Sequence, residues 1–544
     1  MKVDRQHIID QLQTFPYIIN VEDNGDVDEM QMLAITFPIE GKEPLTFSMR
    51  VAYKMSPMRL FDVEPVVFYN KSLLAYPHIM DDGHLCLHTP DCVTWDDRIT
   101  EEIEALYRWI QKYYVREEQD KHYEDLVIDS VRINGTRVQF YYTQLDALPP
   151  QGSCGYVAYT KYASDKIGEQ LVESYLVQGI ARTDGVKSYG EWSTSYKEMA
   201  HKQGLFVMLA GIPARYGKFS VNNYQELSEW CSEDQLSFLY DKLYKEKEKF
   251  APIFWGYETP NGSLRWLVTY PDESLHIISG EKIRENGVVK WIPTLVDLKM
   301  NIVDASDSSY EQFFGRGRYP DTIVDKRILI MGVGAIGSIV ATTLVRGGAK
   351  HIALCDFDLK HPGNVCRSEY MFGTGLNFKT DELKKILTTI SPFVDVKSEE
   401  TYLLFLKKTD LGQPGLRDEI LNQYDIIFDC TIDGELMWAM EKSPVKSQIV
   451  NMSISNGAKE LVCAFSPRIS DFVYRVYTEM IDEGSGDMFN PEGCWSPTFK
   501  ASYNDVQIVV QFAMRHVLKM LSGEMHKANF VVQEGLSGLQ LIRW

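Results

Sequence analysis

The chain has no Cys-x-x-Cys pair, no uninterrupted apolar run of about 18 residues, no internal repeat, and too few basic residues to balance its acidic ones. Each absence excludes something. The nine cysteines (Cys86, Cys92, Cys154, Cys231, Cys355, Cys366, Cys430, Cys463 and Cys494) are scattered over 544 residues. None is spaced for a four-cysteine zinc site. An odd, dispersed set suits reduced thiols in a cytosolic compartment better than a disulfide framework. Without a long apolar run no membrane-spanning helix is expected. The N-terminus MKVDRQHIIDQLQTF lacks the apolar core of a signal peptide, so a soluble, cytoplasmic protein is expected. Lys and Arg number 56 against 76 Asp and Glu, a net charge of −20. That disfavours sequence-independent nucleic-acid binding and suits a cationic or lysine-bearing partner.

What is present falls into three parts, as the length leads one to expect. Residues 1–125 read as an α+β domain. Ile8, Ile9, Leu12 and Phe15 share a helical face, and LAITFPI (33–39), LTFSMRVAY (45–53) and VEPVVFY (63–69) read as antiparallel strands. EEIEALYRWIQKYY (101–114) is an amphipathic helix. Residues 126–308 are weaker in signal and read as a mixed α/β linker or scaffold. There is a hairpin signature at Asn134-Gly135, a loop at 148–155, helical periodicity over 224–250, and strands at RWLVTYP and SLHIISG, with no chemical motif. Residues 309–544 alternate strand and helix: strand 327–333, helix 335–346, strand 351–356, helix 380–390, strands 425–430 and 448–454, and a long helix at 503–521. That pattern predicts a doubly wound parallel sheet of Rossmann-like type.

RILIMGVGAIGSIV sets Gly332, Gly334 and Gly337 directly after a strand and at the start of a helix. Glycines there let backbone N–H groups and the positive helix end approach phosphates. Asp356 ends the next strand, 19 residues past Gly337, where a carboxylate can accept ribose hydroxyls. Taken alone this is a generic nucleotide fingerprint, which a dehydrogenase would share.

The stretch CDFDLKHPGNVCRSEYMFGTGLNFKTDELKK adds Asp358, Asn364, Arg367 and Lys379, and YDIIFDCTID adds Asp429 and Asp433. In this order they resemble the adenylating fold of ThiF, MoeB and the ubiquitin-activating enzymes over roughly residues 315–520. Ser368 stands where that family usually has Gln, and DCTID has one residue more than the usual DCTD. The metal-binding acid could therefore be Asp433 or, second, Asp429. The resemblance implies ATP and Mg²⁺ as cofactors, with Gly332, Gly334, Gly337, Asp356, Asp358, Asn364, Arg367, Lys379 and Asp433 at the nucleotide. A carboxylate attacks the α-phosphate, so cations must face the charge that builds there. It also implies a homodimer through residues 309–544, to which Arg316 or Arg318 could lend an arginine across the interface.

Two thiols stand apart from the rest. FNPEGCWSPTFKAS holds Cys494 in a Gly/Pro loop ahead of the last long helix, resembling the activating-enzyme cysteine loop. Cys430 and Cys463 fall in apolar runs and read as packed cysteines. YPHIMDDGHLCL resembles the active-site signature of ubiquitin-conjugating enzymes: His78 precedes Cys86 by eight residues and Trp95 follows it by nine. Tyr76 and His78 replace the signature's His and Asn, and His78 could donate a hydrogen bond to an oxyanion in the Asn's place. His84 and His88 read as ordinary solvent-facing histidines with no chemical role.

A conjugating-type domain ahead of an activating-type domain resembles the bacterial fusion proteins of CBASS anti-phage operons. That resemblance implies adenylation of a protein C-terminus, a thioester on Cys494, transfer to Cys86, and ligation to a target lysine. The acyl donor would be a cGAS/DncV-like nucleotidyltransferase. A sulfur-carrier activating enzyme of cofactor biosynthesis is the alternative.

Overall fold

The computed structural model describes residues 3–59, 64–118, 126–245, 252–271, 276–285, 288–399, 406–408, 414–480, 488–489, 498–536 and 538–543. Most of its strands gather into three large sheets, one in each part of the chain, beside four two-stranded pairings among the described residues.

The first is an antiparallel meander, β1 (Asn20–Val27), β2 (Met30–Phe37), β3 (Leu45–Val51) and β4 (Val66–Tyr69), paired in sequence order. The alternation in MQMLAITF and LTFSMRV sends Leu33, Ile35, Phe37, Leu45, Phe47, Met49 and Val51 to one buried face. Helix α1 (Arg5–Leu12) adds Ile8 and Leu12 to that core. Helix α2 (Trp95–Trp109) adds Ile99, Ile103 and Leu106 at helical spacing. Thr94 caps α2 by accepting from the Asp97 N–H.

The middle third differs from the mixed α/β expectation. Strands β5 (Arg137–Tyr142), β6 (Cys154–Ile167), β7 (Gln170–Arg182), β8 (Lys187–Tyr189), β9 (Lys202–Met208), β10 (Ile253–Glu258), β11 (Leu264–Thr269) and β12 (Ile302–Asp307) form one sheet in the order β5-β12-β11-β10-β9-β6-β7-β8. A further β5–β7 pairing closes seven of these strands into a barrel. Phe140, Tyr159, Phe206, Phe254 and Trp266 pack inside it. The closure joins residues far apart in sequence, which a local pattern cannot reveal. At Asn134-Gly135 there is a turn with positive φ at both residues, but it is closed only by an isolated Ile133–Thr136 bridge. Of the helix expected over 224–250, one α-helical stretch is α3 (Glu233–Tyr240), and residues 246–250 lie outside the described set.

The last third holds an eight-stranded sheet. Its strands are β13 (Arg327–Met331), β14 (His351–Cys355), β15 (Asp395–Glu399), β16 (Ile426–Asp429), β17 (Gln448–Ser455), β18 (Glu460–Phe465), β19 (Phe530–Gly535) and β20 (Gly538–Arg543), in the order β15-β14-β13-β16-β17-β18-β19-β20. The first five run parallel, as expected. β18, β19 and β20 are antiparallel additions, so the sheet is mixed rather than wholly parallel. Helices α4 (Ala335–Arg346), α5 (Lys379–Ile390), α6 (Gly434–Lys442), α7 (Ser470–Met480) and α8 (Tyr503–Ser522) accompany it. The apolar runs RILIM, HIALC and IIFD are buried on both faces, as parallel strands under helices require. Strand order reverses between β13 and β16, the place where such sheets open a crevice.

The barrel is fastened to this sheet. Trp192 stacks on Phe393 beside Phe314, the Ser193 N–H donates to the Pro392 carbonyl, and the Tyr196 hydroxyl donates to the Thr388 carbonyl. Toward the first domain, Lys218 Nζ donates to the Tyr76 carbonyl at 2.5 Å. Among the described residues no helix is long and apolar enough to cross a membrane.

Candidate functional site

Strand β13 ends in Met331, and the chain turns at once through Gly332. Its φ is +76°, and a Cβ there would stand 2.8 Å from the Cys430 carbonyl and the Thr431 Cα. Glycine is what allows the turn after β13 to touch the end of β16. Gly337 packs differently: a Cβ would lie 2.0 Å from the Gly332 carbonyl oxygen, so it seats α4 against the turn.

Between these strand ends lies a cavity of about 420 Å³, lined by Gly332, Gly334, Asp356, Asp358, Arg367, Lys379 and Asp433 and closed by Phe357, Thr431 and Ile432 among others. That volume suits a nucleotide-sized ligand. A larger cavity, about 790 Å³, sits where the same strands begin, between Arg327, His351, Asp395, Asp425 and Thr194, Ser195 and Glu198 of the β8–β9 connection. It lacks a glycine turn, and the chemistry of an open parallel sheet belongs to the carboxyl ends of its strands.

The charges in the smaller cavity are ordered. Lys379 opens α5, is buried, and pairs with Asp358 at 2.6 Å. Asp356 accepts from the Val333 N–H at 2.8 Å and from the Asp358 N–H at 2.9 Å. Its carboxylate thereby fixes the glycine turn while it lines the cavity. Burial pushes its pKa up, against the pull of the Lys379 charge. Asp433 caps α6, its Oδ1 accepting from the Glu435 and Leu436 N–H groups.

Asp429 is wholly buried and is held by the Thr431 hydroxyl and N–H and the Asn451 carboxamide. Of the two acids left open by the sequence, Asp433 is the one that faces the cavity. The extra residue of DCTID is Ile432, which sits at φ +54° and is exposed. A β-branched residue in that region costs on the order of 1–3 kcal/mol, so the insertion is absorbed as local strain at the cavity wall. Among the described residues no cluster of three or more His, Cys, Asp or Glu side chains forms a metal cage. Magnesium does not need one: one or two carboxylates beside substrate phosphates suffice, and the Asp358 and Asp433 pair fits that demand.

Two expected nucleotide residues do not line the cavity. Gly337 packs behind the turn. Asn364 accepts from the His361 N–H at 2.8 Å and so shapes the 362–367 turn that presents Arg367. Arg318 pairs with Asp321 and lies over the Tyr310 ring, while Arg316 is exposed.

Cys86 lies on a separate surface. Residues 78–86 form a tight loop closed by an Ile79–Leu85 bridge, and the Cys86 N–H donates to the His78 carbonyl at 2.8 Å. The Cys86 side chain is exposed. His78 has φ +61°, and its Nε2 lies 2.9 Å from the Tyr113 hydroxyl, to which Lys112 Nζ also donates at 2.7 Å. His84 pairs with Asp82. Trp95 is buried at the start of α2. Cys92 is buried, and burial raises its pKa. Burial pushes the Cys355, Cys430 and Cys463 thiols well up, which disfavours their thiolates. Cys494 lies outside the described residues.

Sequence reasoning missed Tyr113 as the partner of His78, and missed Phe357, Thr431 and Ile432 in the cavity wall. Only the extra residue in DCTID hinted at the last two.

A glycine turn at the strand switch, two cations and three carboxylates now share one cavity. Residues 311–463 match the ThiF family. Over 220 residues, the chain is 25% identical to the ATP-dependent ubiquitin transferase-like protein Cap2 of Enterobacter hormaechei, covering 39% of this chain and 36% of that protein. The Cap2 of Pseudomonas aeruginosa is 23% identical over 260 residues, covering 41% of this chain and 46% of that protein. Ubiquitin-like modifier-activating enzyme 5 of Caenorhabditis briggsae is 23% identical, covering 33% and 43%. The chain thus spans less than half the length of these curated relatives. Among solved structures, E. coli MccB with ATP is 14% identical with a TM-score of 0.30, covering 41% of this chain and 64% of that one, an overlap too loose to carry a functional argument. The ThiF-type domain therefore holds the cavity, and Cys86 stands in the N-terminal third.

Proposed function

We propose that this chain activates a protein C-terminus with ATP and passes it, as a thioester, to a target amine. The observation that carries this reading is the convergence of Arg367, Lys379, Asp358 and Asp433 on the glycine turn in one nucleotide-sized cavity. Hydride transfer builds no charge on its cofactor's phosphates; a phosphate that gains charge during displacement calls for cations placed in this way.

In the first step the donor carboxylate oxygen attacks the α-phosphorus of ATP, the bond to the β-phosphate oxygen breaks, and pyrophosphate leaves. Arg367 and Lys379 face the phosphate oxygens as their charge grows. Lys379 would exchange its Asp358 contact for phosphate. Magnesium would be held by Asp433 with Asp358 nearby, and supplies neutralisation of the phosphate charge. The Cys494 thiolate then attacks the acyl carbon and AMP leaves. The Cys86 thiolate attacks that thioester and Cys494 leaves as thiolate, an exchange close to isoenergetic because one thioester replaces another. Finally a lysine amine attacks, Cys86 leaves, and the amine proton passes to solvent. The exposure of Cys86, its tight loop and the neighbouring His78 support its place as the second acceptor. The Cap2 relatives favour a CBASS-type setting, with a cGAS/DncV-like nucleotidyltransferase as donor.

The test is intact-mass spectrometry of the full chain with ATP, Mg²⁺ and a co-encoded nucleotidyltransferase, for wild type, Cys494→Ala and Cys86→Ala, with and without reductant. Wild type should carry reductant-sensitive acyl adducts. Cys86→Ala should hold the adduct on Cys494, and Cys494→Ala should make adenylate and charge neither thiol. Charging of Cys86 when Cys494 is absent would sink the order of transfer. Product formation that survives Cys86→Ala would favour sulfur-carrier activation instead.

A further inference from the structure

The segment between β14 and α5 leaves the sheet, brings Arg367 to the cavity and returns to Lys379. It is largely exposed, with Phe357, Met371, Phe372 and Leu376 facing solvent. Beneath it lies a buried ion pair. Lys360 Nζ stands 2.7 Å from Glu382 Oε2, with the two side chains 4% and 1% exposed. The same ammonium donates to the Met371 carbonyl at 2.7 Å and to the Thr374 hydroxyl at 2.6 Å. Glu382 Oε1 accepts from the Met371 N–H at 3.2 Å, and the Lys360 N–H donates to the Asn377 carbonyl. One pair therefore ties down the segment on both sides of Arg367. Glu382 stands three residues after Lys379 on α5, so the segment's anchor is the helix that presents the second cation.

Stability alone does not call for this arrangement. Two buried charges pay a desolvation penalty, and apolar residues of similar volume commonly serve as well or better. What the pair supplies is direction: an ammonium that only donates and a carboxylate that only accepts match one placement of Met371 and Thr374. Neither side chain lines the cavity.

We propose that Lys360 and Glu382 are positioning residues of the adenylation centre, clamping segment 361–378 to α5 so that Arg367 and Lys379 hold a fixed separation across the nucleotide. This rests on the ATP-dependent reading above.

The test uses the full chain as wild type, Lys360→Met/Glu382→Met and Glu382→Gln. Three quantities are compared: ATP affinity by calorimetry with Mg²⁺, hydrogen exchange of residues 361–378, and Tm. The double Met variant should keep its Tm within a few degrees, bind ATP at least tenfold more weakly, and exchange faster in 361–378. Glu382→Gln keeps an oxygen for the Met371 N–H and should lose only two- to threefold. A folded double variant with wild-type affinity overturns the proposal, as does faster exchange with no loss of affinity. If the double variant does not fold, Glu382→Gln decides: weaker binding with faster exchange supports positioning, and no change in either overturns it. Failure of the wild type itself to bind ATP would remove both readings. That result is distinguishable, because the loss would then precede any substitution.

Discussion

Arg98→Ala should loosen the first domain more than any surface change. The Arg98 side chain is fully buried and its guanidinium makes four hydrogen bonds: to the Pro57 carbonyl (2.8 Å), the Thr89 hydroxyl (3.1 Å), the Pro90 carbonyl (3.1 Å) and Glu102 Oε1 (3.0 Å). It thus joins the segment before β4, the segment after the Cys86 loop, and α2. Without it, Pro90 is exposed and water can rehydrate its carbonyl, but Pro57 and Glu102 stay buried with lost partners. Breaking a buried pair from one side costs about 3–5 kcal/mol. Glu102 also gives the loss a pH signature. Burial raises its pKa, while hydrogen bonds from Thr89 and the Arg98 charge hold it down. Removing Arg98 raises it further. A carboxyl whose folded pKa lies above its unfolded value contributes stability at low pH and loses that contribution as pH rises through the folded value. The penalty should therefore be largest near pH 8 and shrink toward pH 5. A chain of several domains does not unfold in two states, so the readout is hydrogen exchange of α2 amides, corrected for intrinsic rates. At 1.4 kcal/mol per factor of ten, exchange should accelerate roughly 100- to 5,000-fold at neutral pH. An acceleration below about tenfold, or one equal at pH 5 and pH 8, would refute the reasoning.

Other expectations follow from the same structure. Asp433→Asn keeps the α6 cap and should leave Tm unchanged while ATP-dependent pyrophosphate release falls on the order of 100-fold or more. Asp433→Ala should lose about 1 kcal/mol of stability as well, read by thermal denaturation. Lys379→Met should reduce pyrophosphate release roughly 10²–10³-fold; a loss under threefold would remove Lys379 from the phosphate. Iodoacetamide should label the exposed Cys86 and Cys366 in the native protein and spare Cys355 and Cys463 until denaturant is added, with labelled peptides identified by mass spectrometry. Ser502→Ala should fray the start of α8, where Ser502 and Asp505 form a capping box, at a cost of about 1 kcal/mol.

The sequence by itself determined the local elements whose cause is local. The strand-turn-helix at 327–346 was legible because a buried parallel strand must be apolar throughout and a tight phosphate turn needs glycine. Helix α8 was legible from its apolar period, and the exposed loop around Cys86 from its polar flanks. Tertiary structure decided what depends on residues distant in sequence. The β5–β7 pairing closes a barrel from strands that give no sign of their partners. β18, β19 and β20 join the parallel sheet antiparallel, because an edge accepts either direction and alternation does not encode which. Asn364 spends its carboxamide oxygen locally, on the His361 N–H, whereas Asp356 also holds the Val333 N–H, which lies 23 positions back and is brought near only by folding. The Lys360–Glu382 pair was invisible for the same reason: each is an ordinary charged residue in its own stretch. Only burial against one another, 22 positions apart, makes them an anchor.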